Sequence, residues 1–261
     1  MAIQLNDRDH LIFKLVDEHE VLLEKHISWF IAGEEKPVLI RDRLRKLFYL
    51  DYLLCHRHGS KLPWWTTPTK PLVYMLSTMA RTISGAPEAT DAMLDNEFQR
   101  HHLEVANLRM LYLVAQKDTQ ISQFVWTTCK QPKKTECGLD AMVTFKLNGA
   151  ANESTKLGLV NNLSLNAEAV SKLTGTIESE KLDSILLISR DDLAQKALQQ
   201  MVVQAGGELA KRTLFATHQE LYKDGIVATR WQSALGQSGS VSRESEAAVA
   251  YIGPMTQPIA V

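Results

Sequence analysis

The sequence predicts an α+β protein: a helical N-terminal unit that ends in a hairpin, followed by a mixed α/β domain. Three observations carry this expectation. Three helix-patterned segments fill the first 50 residues and lead into two strand-like runs around a Pro-punctuated loop. Beyond residue 120, strand-like runs alternate with helical ones, the order of a mixed α/β domain. Basic residues crowd into the third helix and the hairpin. The window from Lys36 to Lys70 holds eight Lys and Arg against only Asp42 and Asp51, so it is strongly positive in a chain of net charge −1.

The elements follow in order. Asn6-Asp7 suits the cap of a first helix, with Ile12, Phe13, Leu15 and Val16 at helical spacing. "EVLLEKHISWFI" repeats that pattern as a second helix, which Gly33 closes. Pro37 opens a third, whose Ile40, Leu44, Leu47 and Phe48 form one apolar stripe. "DYLLCHRH" and "PLVYML" read as a strand pair around "GSKLPWWTTPTK", and 77–84 as a short closing helix. Three helices and a basic hairpin are the order of a winged helix-turn-helix, expected over 1–84.

Residues 85–94 are expected to be a linker, 95–232 the α/β domain, and 233–261 a disordered tail rich in Ser, Gly and Gln. The second domain opens with a long helix through "DAMLDNEFQRHHLEVANLRMLYLVA". Strands follow at "ISQFVWTTC", "AMVTFKL", "KLGLVNNLSL", "SILLIS" and "RTLFAT", with helices at 167–173 and 191–204.

Composition limits the function classes. A content of 45% hydrophobic and 23% charged residues is that of a soluble globular protein. No apolar run approaches the roughly 20 residues of a membrane span, and "MAIQLNDRDH" lacks the layout of a signal peptide. No membrane partner is therefore expected. Three cysteines in no framework spacing suit a reducing, cytoplasmic location. The near-zero net charge confines any nucleic-acid contact to a patch.

That patch supplies the candidate binding residues. Duplex DNA is met by a helix slim enough for the major groove, with Arg and Lys facing phosphates and base edges. Arg41, Arg43, Arg45 and Lys46 on the third helix fit that demand, as do Arg57, His58 and Lys61 on the hairpin. Trp64 and Trp65 read as a hydrophobic cover rather than stacking platforms. The expected partner is double-stranded DNA, with a second protein or a homodimer as further partners.

The order of features resembles the replication-relaxation family of plasmids and integrative elements, related to MobC-type mobilisation proteins. "LNDRDHLIFKLVDEHEVLL", "RDRLRKLFYLDYLL", "LVYMLSTMA" and above all "HHLEVANLRMLYL" carry the likeness, which spans most of 5–232. The resemblance implies a winged-helix DNA-binding domain followed by a domain similar to restriction endonucleases. It also implies a role in replication, mobilisation or transcriptional control of the element. Nucleases of that kind hold metal ions with an Asp on one strand and Glu/Asp-x-Lys on the next. Asp140 in "GLDAMVTFKL" matches the first element, with Leu139 where the family has Pro. "VNNL" at 160–163 supplies neither the second carboxylate nor the strand Lys. The expectation is a degenerate nuclease-like domain, with Asp140 and His102 as its residual site and no resident metal.

The rival readings are a metal-dependent endonuclease or nicking relaxase, which alone would require Mg²⁺, and a protein–protein adaptor. Cys55 and His58 with Cys129 and Cys137 fall short of a zinc signature. "QAGGEL" at 204–209 reads as helix-ending glycines rather than a phosphate loop.

Overall fold

Asn6 begins the fold as the sequence predicts. Its side chain accepts the Asp9 N–H while the Asp9 carboxylate accepts the Asn6 N–H, a reciprocal cap on helix α1, Asp7–His19. The computed structural model describes residues 4–34, 36–60, 62–130, 133–149, 154–236 and 238–239. The fold is α+β, and the chain divides into two units, Met1–Asp118 and Thr119–Val261.

In the first unit, α1 is followed by β1 (Leu22–Leu23), α2 (Glu24–Ala32) and α3 (Pro37–Tyr49). The hairpin β2 (Leu53–Arg57) and β3 (Leu72–Leu76), α4 (Thr78–Ser84), a 3-10 turn at Asp91–Leu94 and the long α5 (Asn96–Lys117) complete it. The strands form one antiparallel sheet in the order β1-β3-β2. Gly33 ends α2 in the left-handed conformation, its N–H on the Trp29 carbonyl.

"EVLL" is not helical, contrary to the sequence expectation. Glu20 has a φ of 61°, and Leu22 and Leu23 pair with Tyr74 and Val73. Alternation explains the outcome. Leu22 packs with Ile12, Phe13, Leu44, Tyr74 and Leu76, whereas Val21 and Leu23 pack with Leu62, Val73, Met75, Met93 and Leu103. Three consecutive apolar residues are thus buried on two faces of a sheet, which a helix cannot arrange.

The second face of that small sheet also overturns the expected linker. Met93, Phe98 and Leu103 cover it. The buried Arg81 donates to the Pro87 carbonyl at 2.8 Å and pairs with Glu20 at 3.4 Å. Segment 85–94 is largely exposed but is tied down at Met93 and at the Pro87 carbonyl, and α5 belongs to the first unit rather than the second. Arg109 ties α5 back to α1, lying 2.9 Å from His19 Nε2 and 3.1 Å from Glu18, with its guanidinium 4.5 Å over the Phe30 ring. Asn107 hydrogen-bonds the fully buried His26, whose Nδ1 accepts the Leu23 N–H.

The second unit contains β4 (Ile121–Thr128), α6 (Lys133–Cys137), β5 (Ala141–Leu147), β6 (Ser154–Asn161) and α7 (Ala167–Ser179). It continues with β7 (Ser184–Ser189), α8 (Asp192–Ala205), α9 (Gly207–Arg212), β8 (Thr213–Thr217), α10 (His218–Ala228), β9 (Trp231–Ser233) and β10 (Ser238–Gly239). One mixed sheet runs β10-β9-β8-β7-β6-β5-β4, with β6, β7 and β8 parallel. Met142, Val160, Ile185, Leu187 and Phe215 on one face bury against Leu173, Ile177, Leu198 and Val202 of α7 and α8. Gly206 closes α8 at a φ of 65°, so "QAGGEL" does separate two helices. Most of the expected tail, 241–261, lies outside the described residues. Among the described residues, no helix is long and apolar enough to cross a membrane.

Burial drives the pKa of His26 down to about 3, against the opposing hydrogen bond with Asn107. Its folded value lies below the roughly 6.5 of an unfolded histidine. Its stabilising contribution is therefore complete above pH 6.5 and declines as pH falls towards 3. Chemical denaturation of the full chain should show this group costing nothing above about pH 6.5 and about 1 kcal/mol per pH unit from there down to pH 4. His26→Gln should remove that part of the slope, and an unchanged slope would assign it elsewhere.

Candidate nucleic-acid interface

Helix α3 places the basic residues. Ile40, Leu44 and Leu47 are buried, which fixes the rotation of the helix and turns Val38, Leu39, Arg41, Asp42, Arg45, Lys46, Phe48 and Tyr49 outward. The predicted set then separates by partner.

Arg43 differs most from the sequence expectation. It is mostly buried and forms a two-pronged ion pair with the fully buried Asp9 of α1, Nε to Oδ1 at 2.5 Å and Nη2 to Oδ2. Burial opposes the charge on Asp9, but the Arg43 guanidinium and the Asn6 N–H outweigh it and hold the carboxyl below its ordinary value. The hydrogen bond that Arg43 donates to Asp9 likewise raises the pKa of Arg43. Arg43 is thus a bolt between α1 and α3 rather than a reader.

Arg41 is exposed, yet it makes a bidentate contact with Glu24 at the start of α2, at 2.9–3.2 Å. Arg45 meets Asp42 at 4.0 Å, and both side chains are more than half exposed. Lys46 is exposed and shares a shallow groove with Asn6, Asp7, Arg8, Leu39, Asp42 and Arg43. Arg8, on the first turn of α1, is a basic residue of this surface that the crowded window 36–70 drew attention away from.

The hairpin also departs from expectation. Arg57 donates to the Lys70 carbonyl at 2.9 Å, and Lys70 Nζ donates to the Gly59 carbonyl at 2.6 Å, so the two cations brace the loop. His58 is fully buried, with Nδ1 2.8 Å from the Ser60 carbonyl, and presents nothing to a ligand. Its ring turns in against the backbone of Ser60, a loop geometry that charge counting ignores. Lys61 lies outside the described residues. Trp64 and Trp65 pack against the cluster of Val21, Leu23, Met75 and Leu103, and Trp65 Nε1 donates to the Thr69 carbonyl at 2.6 Å.

The residual nuclease-like residues belong to different units. His102, on α5, lies against Phe98 with ring centroids 4.2 Å apart. Asp140 is buried just before β5. Its Oδ1 meets Lys134 Nζ at 2.5 Å, and its Oδ2 accepts the Asn161 N–H at 2.7 Å. Asn161 is the last residue of β6, the strand that pairs with β5. Its Oδ1 accepts from His218 Nε2 at 2.6 Å, leaving His218 Nδ1 to accept the Tyr222 hydroxyl at 2.9 Å.

Sequence reasoning missed this Lys134–Asp140–Asn161–His218–Tyr222 chain because its members are as much as 88 positions apart (134 to 222). Asp140 is neutralised by a lysine and a backbone donor, so this donor set does not fit a divalent cation. Among the described residues, no group of three or more His, Cys, Asp and Glu is placed to hold a metal ion. Cys55 is half-buried in the first unit, whereas Cys129 and Cys137 are in the apolar core of the second.

Comparison with protein-family models, curated proteins and solved structures gives no match.

Removing one member of a buried ion pair strands the other. Arg43→Ala should therefore lower stability by about 3 kcal/mol or more. Arg45→Ala should change it by no more than about 0.5 kcal/mol. Urea denaturation of the full chain measures both, and equal effects would contradict the assignment of Arg43 to structure.

Proposed function

We propose that this chain is a double-stranded DNA-binding protein. In this reading the first unit is a winged helix-turn-helix, and the second is a nuclease-like domain that does not cleave and serves as an interaction platform. The setting is the replication, mobilisation or transcriptional control of a plasmid or mobile element, as the resemblance to replication-relaxation proteins implies.

One observation supports the DNA reading best. Helix α3 stands with its apolar stripe buried and its opposite face open, with Arg45 and Lys46 exposed on it and Arg8 beside them. The antiparallel hairpin that follows carries Arg57 and Lys70 at the end closed by its loop. A slim helix flanked by cations fits the major groove and the phosphates at its rims.

The non-catalytic reading of the second unit rests on Asp140. Its two oxygens face Lys134 and the Asn161 N–H, and Asn161 itself replaces the acid of the second strand. An endonuclease would need a second negative ligand at that place. The exposed apolar Phe48 and Tyr49 on α3 favour the adaptor as the next reading.

Each phosphate contact made by Lys or Arg releases counterions and steepens the salt dependence of binding. Fluorescence anisotropy of the full chain on duplex DNA should show affinity falling steeply with salt. Arg45→Ala with Lys46→Ala should flatten the log–log slope by about two. A slope that the double variant leaves unchanged would remove α3 from the interface. Supercoiled DNA incubated with the protein in Mg²⁺ or Mn²⁺ should remain uncut. Nicking that disappears in Asp140→Ala would restore the endonuclease reading.

A further inference from the structure

The outward face of α3 is not purely basic. Its central ridge runs through Val38, Asp42, Arg45 and Tyr49, four, three and four residues apart, opposite the buried Ile40, Leu44 and Leu47. Leu39 and Lys46 flank the ridge on the side of Asn6 and Arg8. Arg41, paired with Glu24, flanks it on the other.

Val38 and Leu39 are 70% and 64% exposed, and they occupy the first turn of the helix. Single exposed apolar side chains are ordinary on protein surfaces. This adjacent pair stands at the end of the helix from which a groove-reading helix reaches base edges. The ridge also carries a carboxylate at its centre. Asp42 would be repelled by a phosphate but can accept a hydrogen bond from a cytosine amino group. The charge pattern therefore turns the ridge towards base edges and its basic flanks towards the two backbones.

We infer that Val38 and Leu39 read thymine, their branched side chains covering C5-methyl groups in the major groove. Thymine is the base that offers a methyl there, and apolar contact is the interaction that recognises it. Arg45, seven residues beyond Val38 on the same ridge, holds the helix over the groove from its other end. This inference rests on the DNA-binding reading above and adds the specificity determinant.

The test uses the full chain. Selection from a random duplex library defines the preferred site, and each thymine in it is then replaced by deoxyuridine, which removes the methyl alone. At one or two positions the replacement should weaken binding about fourfold, the loss for one buried methyl-sized group. That sensitivity should disappear in Val38→Ala or Leu39→Ala. Both side chains are exposed, so these variants should fold normally. Indifference to every replacement, a selected pool without sequence preference, or sensitivity that survives in both variants would overturn the inference while leaving DNA binding in place. Absence of duplex binding at low salt would overturn the DNA reading itself.

Discussion

The buried pair of Asp9 and Arg43 sets the geometry on which the first unit depends. Asp9 serves twice, closing the cap of α1 through the Asn6 N–H and receiving the Arg43 guanidinium from α3. A charge taken out of water is tolerable only with a close partner and satisfied lone pairs, and this arrangement provides both. Its two-pronged geometry limits rotation of α3 more tightly than the apolar stripe alone, since Ile40, Leu44 and Leu47 would accept small turns of the helix. Which residues of α3 face outward therefore follows from the buried stripe and the inward-facing charge together.

The second organising feature is the small sheet with two covered faces. Tyr74 and Leu76 point to the α1–α3 core, while Val73 and Met75 point to Met93, Leu103 and the tryptophans. A three-stranded sheet with one bare face would expose Val21, Leu23 and Met75 to water. The segment after α4 therefore folds back to cover it, and α5 is joined to the helices by His26–Asn107 and by Arg109 with Glu18 and His19. The phrase "HHLEVANLRMLYL" supplies both of these polar contacts through Asn107 and Arg109.

Much of this was legible in the sequence where the determinants are local. The Asn6 cap, the Gly33 stop, the α3 stripe and the β2–β3 hairpin are set by residues a few positions apart. What escaped depends on distant partners. Nothing near "RDRLRK" reveals that Arg43 will find Asp9, 34 residues earlier, while Arg45 meets its neighbour Asp42 on the surface. "EVLL" fits a helix by composition and is a strand because β3 is there to pair with it. The break at 85–94 looks like a linker because Gly and Pro mark turns whether or not the turn is packed. Helix α10 and its His218–Asn161 contact left no periodic signal, because the contact joins the ends of two strands.

Hydrogen exchange of backbone amides, measured on the full chain with and without duplex DNA, tests the central claim most directly. The account predicts slower exchange in peptides covering 36–49 and the hairpin 57–72. It also predicts slower exchange over the first turn of α1 around Arg8. Exchange unchanged in those segments, or slowed instead only in 119–233, would contradict it.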